Sequence, residues 1–271
     1  MLITEAEFTS QRHPDTLFDL AGKVALVSGG ARGIGLFATE GLVRSGVKVY
    51  VASRDAAACE MIAERLSRHG ACVPLPCDLL APDEVERLAA EVMAREPKLD
   101  ILVNNSGAFH TATLDEFPEQ GWDTVLDLNL KAPFFLTQKL LPALRAAASA
   151  DDPARVINIS SIAAVRAYDN NGYPYQASKA GLNHLTRAMA SRLAREHITV
   201  NAISPGPMAG GMMVRTTQDE EFRARIEGSI PLRRTGDADD MTGALRFLCS
   251  RAGAYLTGVV LPLDGGSSTC I

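Results

Sequence analysis

The sequence predicts an α/β fold: a single-domain, doubly wound parallel sheet, Rossmann-like, with helices on both faces. From Lys23 onward, short apolar runs alternate with longer segments of helical periodicity. This alternation is typical of βαβ units, in which a helix crosses over between parallel strands. The 271 residues would also allow two domains, but no linker or internal repeat divides them. We therefore expect one domain over residues 21–271, preceded by an extension over residues 1–20.

Seven short apolar runs predict the strands. A strand that is covered on both faces of a parallel sheet is apolar over most of its length. The third run is the weakest, because its two prolines donate no hydrogen bond to a neighbouring strand. The predicted strands are Lys23–Ser28, Lys48–Ala52, Cys72–Pro76, Asp100–Asn104, Arg155–Ile159, Ile198–Ile203 and Val259–Leu263.

Six segments with helical periodicity predict helices between these strands. Pro82 suits the first turn of its helix, since that position needs no amide hydrogen. The longest segment is expected to bend near Pro133 and Pro142, because proline removes a helical hydrogen bond. The predicted helices are Ile34–Ser45, Ala56–His69, Pro82–Arg95, Trp122–Ala148, Tyr175–Arg195 and Asp237–Ser250.

The composition argues against several classes of protein. The net charge is −5 with 22% charged residues, whereas nucleic-acid-binding domains are usually strongly basic. No apolar run approaches the ~20 residues that span a bilayer, and the start from Met1 to Glu7 lacks a secretory signal. The five cysteines form no Cys-x-x-Cys pair, and with the five dispersed histidines they predict no metal site. We expect a cytoplasmic protein that binds neither nucleic acid nor membranes.

A glycine-rich loop, Ser28–Gly35, joins the first strand to the first helix. Glycines let the backbone approach a pyrophosphate closely, and the helix N-terminus offers amide donors to it. No Gly-Lys-Ser/Thr follows, which excludes the phosphate loop of nucleotide triphosphatases. A simple tight turn is the alternative interpretation. The candidate cofactor-binding residues of this loop are Gly29, Ala31, Arg32, Gly33, Ile34 and Gly35.

The end of the second strand indicates which dinucleotide the loop would bind. An acidic residue there would accept hydrogen bonds from the adenosine ribose, whereas arginine suits a 2′-phosphate. Ser53 occupies that position, Arg54 follows it, and Asp55 comes one residue too late. Arg32 could add a second guanidinium, which binds phosphate through paired donors. NADP(H) is therefore predicted, with NAD(H) as the alternative; both arginines could instead lie on a solvated surface.

Two further strand ends carry candidate cofactor residues. Asp78 and Leu79 follow the third strand, where Asp78 could meet the adenine edge or simply form a turn or helix cap. The fourth strand ends in Asn105, Ser106 and Gly107, at the carboxyl edge of the sheet where ligands bind in such folds. These residue types also form plain turns, so this motif supports the prediction without deciding it.

The pair Tyr175-x-x-x-Lys179 predicts acid–base chemistry. Residues four apart share one face of a helix, so the two side chains can approach each other. A neighbouring ammonium favours the phenolate and would lower the pKa of the tyrosine from about 10. Such a tyrosine can exchange a proton with an alcohol or ketone oxygen, and the strand-end serines Ser160 and Ser161 could hydrogen-bond the same oxygen.

These motifs, in this order, resemble the short-chain dehydrogenase/reductase family. The resemblance extends from about Leu20 to Ser268. It rests on Gly29-x-x-x-Gly33-x-Gly35, Asn104–Gly107, Asn129, Ser161, Tyr175-x-x-x-Lys179, Pro205–Gly206 and Asp264–Gly266.

The resemblance implies four catalytic residues. Tyr175 would be the acid/base, and Ser161, with Ser160 as the alternative, would orient the reacting oxygen. Lys179 would hold the nicotinamide ribose and lower the pKa of the tyrosine. Asn129 would kink a helix and anchor a water of the proton relay, although its position alone suggests only a polar residue inside a helix.

The resemblance also predicts which residues contact the nicotinamide, and it shows where this chain differs from the family. Pro205–Gly206 would contact the nicotinamide, with Met208 beyond it, where the family usually has a threonine that helps hold the carboxamide. Ser28 and Ser106 replace the usual threonine and alanine of their motifs. One residue more than in many members separates the catalytic serine and tyrosine. This spacing resembles that of 3-oxoacyl thioester reductases, including the rhamnolipid type.

Substrate residues are predicted around the same cleft. Residues 207–230 correspond to the substrate lid of the family, and flexible methionines such as Met212 suit an adaptable apolar pocket or ordinary packing. Ser161, Tyr168 and Tyr173 are the other candidates. Phe109, His110 and Ala163 are expected to line the same cleft. A medium-chain 3-oxoacyl thioester or another bulky apolar ketone is the predicted substrate.

The sequence therefore predicts an NADPH-dependent carbonyl reductase. An NAD-dependent alcohol, sugar or hydroxysteroid dehydrogenase is the alternative within the enzymes. A dinucleotide-sensing protein without turnover is less favoured, because the tyrosine–lysine pair is intact. The resemblance implies a homotetramer or homodimer.

Overall fold

Seven parallel strands form one sheet at the centre of the chain. The computed structural model describes residues 13–209 and 219–270. The strands are β1 Val24–Ser28, β2 Lys48–Ser53, β3 Cys72–Pro76, β4 Ile101–Asn104, β5 Ala154–Ile159, β6 Ile198–Pro205 and β7 Val260–Leu263. They lie in the order β3-β2-β1-β4-β5-β6-β7, and each neighbouring pair is parallel. All seven predicted strands and the doubly wound α/β fold are confirmed.

Helices connect the strands and cover both faces of the sheet. A short 3-10 helix, Pro14–Phe18, precedes β1, and residues 1–12 lie outside the described ranges. The α-helices of the described ranges are α1 Gly33–Arg44, α2 Ala56–Leu66, α3 Pro82–Arg95, α4 Glu119–Leu126, α5 Ala132–Ala147, α6 Tyr173–Leu193, α7 Glu220–Ser229 and α8 Ala238–Cys249.

The longest predicted helix differs most from the structure. It begins at Glu119 rather than Trp122, and a π-helical segment, Asp127–Lys131, interrupts it. The interruption precedes Pro133, and Pro142 lies inside the continuous α5. A π turn adds a residue to the helical ring and often marks a functional site. Here it surrounds Asn129, which the family resemblance singled out.

The strand order reverses between β1 and β4, which opens a crevice at their carboxyl ends. β1 pairs with β2 on one side and with β4 on the other. In open parallel sheets, ligands bind at this switch point. The glycine loop after β1 and the Asn105–Gly107 loop after β4 therefore meet at the same edge.

Two apolar clusters hold the helices on the sheet, one on each face. Successive side chains of a strand point to opposite faces. Leu26 of β1 accordingly packs in the cluster with α3, α5 and α6, while Val27 packs in the cluster with α1, α2 and α8. Leu20 belongs to the second cluster, so burial reaches the predicted boundary between extension and domain. That boundary remains a prediction.

The described residues were compared with the features of membrane-spanning helices and of metal sites. Within residues 13–209 and 219–270, no helix is long and apolar enough to cross a bilayer. The same ranges hold no group of three histidine, cysteine, aspartate or glutamate side chains that could bind a metal ion. All five cysteines are free.

Candidate active site

The glycine loop folds back on itself at the carboxyl end of β1. Gly29 and Gly33 have φ angles of +64° and +53°, which side-chain-bearing residues rarely adopt. A Cβ on Gly35 would stand 2.1 Å from the carbonyl oxygen of Gly29. The loop leads into the N-terminus of α1, whose first amides have no helical partner. This arrangement can hold a diphosphate, with the backbone of buried Ala31 and half-buried Ile34 beside it.

Ser28 and Asn105 join the glycine loop to the loop after β4. The Ser28 hydroxyl accepts the backbone amides of Asn105 and Ser106, at 3.0 and 3.1 Å. The Asn105 side-chain amide donates to the carbonyl oxygens of Ser28 and Gly29, each at 3.0 Å. The sequence marked Ser28 only as a replacement for threonine. Its role depends on contact with a residue distant in the chain, which the motif does not reveal.

Arginine side chains surround the end of β2, where the adenosine ribose is expected. Arg54 and Arg32 are exposed, and neither forms an ion pair or side-chain hydrogen bond with another described residue. Asp55 caps α2 by accepting the amide of Ala58 at 3.0 Å. Half-buried Ser53 accepts the amide of Asp55 at 3.3 Å. The acidic residue is thus occupied by its helix, and the two guanidinium groups are free for a phosphate.

The segment after β3 forms a turn. The Asp78 carboxylate accepts the amide of Leu80 at 3.1 Å, which is the turn role that the sequence left open. The side chain of Leu79 is buried in the core, so only its backbone is available to a cofactor. The other oxygen of Asp78 accepts no hydrogen bond from a described residue and can still meet an adenine edge.

Tyr175 and Lys179 lie one turn apart on α6, facing the end of β5. The Lys179 ammonium is 5.7 Å from the centre of the tyrosine ring and donates to the carbonyl oxygen of Ile159 at 2.8 Å. Ser161 follows β5, and its side chain lies near enough to the phenol to lower the pKa of Tyr175. Its hydroxyl also accepts the amide of Ala163 and so caps a short 3-10 turn. The helix begins at Tyr173, two residues earlier than predicted, with Pro174 in its first turn. Three of the four predicted catalytic side chains are therefore together.

Burial dominates the proton affinities of this pair. It raises the pKa of Tyr175 above its usual value, against a smaller lowering by the Ser161 hydrogen bond. It also lowers the pKa of Lys179 to about 8. The sequence predicted a lowered tyrosine pKa. In the free protein the balance is the opposite, because desolvation of the phenolate outweighs the nearby ammonium, which is itself buried and bonded to Ile159.

Asn129 fixes the loop after β4 from inside the π-helical segment. Its side chain accepts the amide of Ala108 at 2.7 Å and donates to the carbonyl oxygen of Ala108 at 3.0 Å. It also donates to the Ser178 hydroxyl at 3.1 Å, and that hydroxyl donates to the carbonyl of Tyr175. Gly107 lies beside it, since an added Cβ would be 3.3 Å from the Asn129 oxygen. Asn129 thus connects the cofactor loop with the catalytic helix.

The carboxyl end of β6 carries the predicted nicotinamide contacts. Gly206, after Pro205, packs so closely on Asp264 that an added Cβ would be 2.8 Å from its Cα atom. The side chain of Met208 is buried in the core, which leaves its backbone for a cofactor. The Asp264 carboxylate accepts the amides of Gly266 and Ser268, both at 2.9 Å, and so shapes the turn behind this contact.

The predicted substrate residues differ in their surroundings. The backbone of Tyr168 is held at both its amide and its carbonyl by the side chain of Gln176, at 2.9 and 3.0 Å. The hydroxyl of Tyr173 donates to Asn171 at 3.2 Å. Met212 lies outside the described residues, as does much of the predicted lid. The described remainder of the lid includes α7.

Phe109 is predicted to line the cleft, and it contacts Tyr175 directly. Its ring meets Tyr175 edge-on, with the ring centres 5.1 Å apart, and it is 41% exposed. An added Cβ on Gly172 would be 2.7 Å from the Phe109 ring. The ring is therefore held between Gly172, at the start of α6, and Tyr175. The sequence predicted Phe109 at the cleft but not its contacts with Tyr175 and Gly172, because both residues are distant from it in the chain.

The two halves of the crevice perform different tasks. The loops after β1, β2 and β4 offer backbone amides and free guanidinium groups to a phosphorylated ligand. The end of β5 and the start of α6 offer a proton donor beside a hydroxyl and an ammonium. Side by side, they define the class of the protein as an oxidoreductase that uses a dinucleotide.

Comparison with known proteins narrows this class. A family model described as Enoyl-(Acyl carrier protein) reductase matches residues 29–268. The chain belongs to the short-chain dehydrogenase/reductase family.

Individual relatives agree over nearly the whole chain. The 3-oxoacyl-(acyl-carrier-protein) reductase of rhamnolipid biosynthesis from Pseudomonas aeruginosa is 43% identical, over 94% of this chain and 98% of the relative. Gluconate 5-dehydrogenase from Gluconobacter oxydans is 33% identical, over 94% and 97%. The NADP active-site complex of RhlG from Pseudomonas aeruginosa superposes with a TM-score of 0.90 at 43% identity, over 93% of this chain and 99% of that one.

Proposed function

We propose that the protein is an NADPH-dependent carbonyl reductase that converts a 3-oxoacyl thioester, or another apolar ketone, into the secondary alcohol. The observation that carries the proposal is that the Tyr175 phenol lies near the Ser161 side chain and the buried ammonium of Lys179. The Pseudomonas aeruginosa relative, named as a 3-oxoacyl reductase, supports this substrate class.

Tyr175 supplies the proton in this reaction. Burial raises the pKa of its phenol, so the side chain carries its proton at neutral pH, as a donor in the reducing direction must. Ser161 donates a hydrogen bond to the carbonyl oxygen and stabilises the negative charge that develops there.

Lys179 stabilises the tyrosine after proton transfer. With a pKa of about 8 it is charged at neutral pH, and an ammonium near a phenolate lowers the energy of the charged ring. Asn129 is a positioning residue, since it holds both Ala108 and Ser178 against this pair.

The residues of the crevice fit NADP(H). The closely packed loop at Gly29 and Gly35 leaves space only for backbone beside a diphosphate. Arg32 and Arg54 would bind the 2′-phosphate, and Lys179 would hold the nicotinamide ribose. NADPH, when bound, supplies the hydride to the carbonyl carbon. The named NADP complex of the Pseudomonas aeruginosa protein supports this assignment.

Replacing Arg54 with alanine should weaken NADPH binding about 10- to 100-fold and change NADH binding little. A charge-assisted hydrogen bond contributes about 1.5–3 kcal/mol, and only NADPH carries the 2′-phosphate. Dissociation constants for both cofactors, measured by titration calorimetry, test this.

Arg195→Ala is the matched control for this substitution. Arg195 is also exposed and without a described partner, but it precedes β6 at the opposite edge of the sheet. Equal losses of NADPH and NADH affinity in Arg54→Ala would contradict the assignment of Arg54 to the phosphate.

An initial-rate panel tests the proposed substrate. It should contain 3-oxoacyl thioesters, simple apolar ketones and 5-ketogluconate, each with NADPH and with NADH. We expect the highest kcat/KM for an apolar 3-oxo substrate with NADPH. A preference for 5-ketogluconate would overturn the proposal in favour of a sugar dehydrogenase, in line with the relative from Gluconobacter oxydans.

Assembly and location complete the proposal. We infer a homotetramer or homodimer, because Trp122, Phe134 and Phe135 expose large apolar side chains on α4 and α5. Sedimentation velocity measures this directly, and a monomer would contradict it. We also propose a cytoplasmic location, which free cysteines suit and cell fractionation tests.

A further inference from the structure

One side chain, that of Gln176, closes the loop between Ser161 and Tyr175. Gln176 follows the acid on α6, and its side-chain nitrogen donates to the carbonyl oxygen of Tyr168 at 3.0 Å. Its side-chain oxygen accepts the amide of Tyr168 at 2.9 Å. The same nitrogen donates to the side-chain oxygen of Asn170 at 3.3 Å. Gln176 therefore pairs with both backbone groups of Tyr168 and fixes the end of the loop against the helix.

The segment enclosed by this contact forms an exposed turn. Asn171 has a φ of +56°, a conformation that residues with side chains adopt rarely and asparagine more readily than most. The amide of Gly172 donates to the side-chain oxygen of Asn170 at 3.1 Å. Both asparagines are exposed. The turn can thus contain the additional residue of this loop without moving Tyr168 or Gln176.

The first part of the loop is tied together as a compact unit. The Ser161 hydroxyl accepts the amide of Ala163 at 3.1 Å. The Arg166 amide donates to the carbonyl oxygen of Ile162 at 2.9 Å. The Arg166 guanidinium lies over the ring of Tyr168, 5.4 Å from its centre. A contact that fixes Tyr168 therefore also restricts the position of the Ser161 hydroxyl.

The Arg166 guanidinium also joins this unit to the nicotinamide side of the site. It donates to the carbonyl oxygen of Ser267 at 3.0 Å. Ser267 donates to the carbonyl oxygen of Asp264, through its amide at 3.1 Å and its hydroxyl at 2.7 Å. Asp264 is the residue on which Gly206 packs. The unit is thus held from one side by the C-terminal turn and from the other by Gln176.

We propose that Gln176 is a positioning residue, which sets the distance between the Ser161 hydroxyl and the Tyr175 phenol by fixing Tyr168. The inference rests on the proposed reductase function, in which both groups act on one carbonyl oxygen. Ser161 stabilises the charge on that oxygen only if its hydroxyl stays within about 3 Å of it. A misplacement of about 1 Å can lower the rate about 100-fold.

Gln176→Leu gives the first test. Leucine is similar in size but can form neither hydrogen bond to Tyr168. We expect kcat and kcat/KM to fall together by about 10- to 100-fold, because the serine acts in the transition state. The Kd for NADPH should stay within about threefold of wild type. Titration calorimetry measures it, and an unchanged binding stoichiometry shows that the loss does not come from unfolded protein.

Gln138→Leu is the matched control. Gln138 is exposed on α5, and its side chain forms no hydrogen bond with a described residue, so the same substitution should change neither kcat nor NADPH affinity. Gln176→Glu is a second variant should Gln176→Leu fail to fold. It keeps an acceptor for the Tyr168 amide and loses the donor to the Tyr168 carbonyl oxygen, so kcat should again fall.

A double-mutant cycle with Ser161→Ala decides whether Gln176 acts through the serine. Ser161→Ala alone should lower kcat about 100- to 1000-fold, the usual loss for one donor to a developing oxyanion. Adding Gln176→Leu should then change kcat less than about threefold, because the hydroxyl that it positions is gone. Losses that multiply would overturn the inference, as would a kcat of Gln176→Leu close to that of wild type.

Amide hydrogen exchange tests the inference without turnover. The amides of Ala163 and Tyr168 are bonded to the side chains of Ser161 and Gln176 respectively. Gln176→Leu should accelerate exchange at both amides by about tenfold or more, although only the second is bonded to Gln176. Unchanged protection at Ala163 would overturn the inference. Failure of wild type to reduce any carbonyl substrate overturns the proposed function instead, and exchange at Ala163 still decides whether Gln176 holds Ser161.

Discussion

Tyr175→Phe is expected to lower kcat by about 100- to 10 000-fold, which is the usual contribution of a positioned acid or base. The substitution removes only the phenolic oxygen, so the ring can keep its edge-on contact with Phe109. The cofactor loops after β1 and β2 are untouched. NADPH affinity should therefore stay within about threefold of wild type, because the substitution slows the proton-transfer step and leaves cofactor binding intact. Steady-state kinetics and a cofactor titration measure both quantities.

Tyr255→Phe serves as the control for this substitution. The side chain of Tyr255 is fully exposed, so the same loss of a hydroxyl should change neither kcat nor cofactor binding. Turnover of Tyr175→Phe within tenfold of wild type would contradict the assignment of the acid. A parallel loss of NADPH binding would instead indicate that the substitution disturbs the fold of the site.

The strands could be predicted because strands that are covered on both faces of a parallel sheet are apolar along most of their length. β5, for example, is buried at all six positions, so its residues form an apolar run between polar segments. Asn158 and Arg155 are the polar exceptions within that strand, and Arg155 is the charged one. Its fully buried guanidinium donates to the carbonyl oxygens of Leu248 and Ser250, at 3.3 and 2.9 Å. Those partners are distant in the chain, and no local pattern indicates that an arginine would be buried there.

The π-helical interruption between α4 and α5 also depends on a contact between distant segments, which local sequence patterns do not indicate. Helical periodicity runs through Trp122–Ala148 and predicts one long helix that bends near Pro133 and Pro142. The π-helical segment surrounds Asn129, whose side chain holds both backbone groups of Ala108. The sequence prediction concentrated on the prolines, which affect the helix locally. The structure instead departs from α geometry where a side chain reaches another loop.

The site was predictable where its residues follow one another in sequence. The spacing of Tyr175 and Lys179 fixes their common face, and the structure confirms it. Contacts that depend on two distant segments were not visible. Ser28 with Asn105 and Phe109 with Gly172 are such pairs. The pKa of Tyr175 also could not be read from spacing, because its direction depends on burial.

Gly35→Ala is expected to lower NADPH affinity at least about 100-fold. The new methyl group would stand 2.1 Å from the Gly29 carbonyl oxygen and 2.3 Å from the Asn105 side-chain nitrogen. Both neighbours are held, since Asn105 itself donates to Gly29. Forced overpacking of this kind costs typically about 1–3 kcal/mol or more, and here the loop that would hold the diphosphate has to move.

Gly243→Ala is the control that separates damage to the glycine loop from a general effect of replacing a glycine. Gly243 lies inside α8, and an added Cβ there would meet nothing within 4 Å. Alanine in that helix should raise the free energy of unfolding by about 0.5–1 kcal/mol and leave NADPH affinity unchanged. Denaturation curves confirm that each variant is folded before titration with cofactor. The methyl group of Gly35→Ala cannot fit unless the glycine loop moves. A folded Gly35→Ala protein that binds NADPH as tightly as wild type would therefore show that the diphosphate does not bind at this loop.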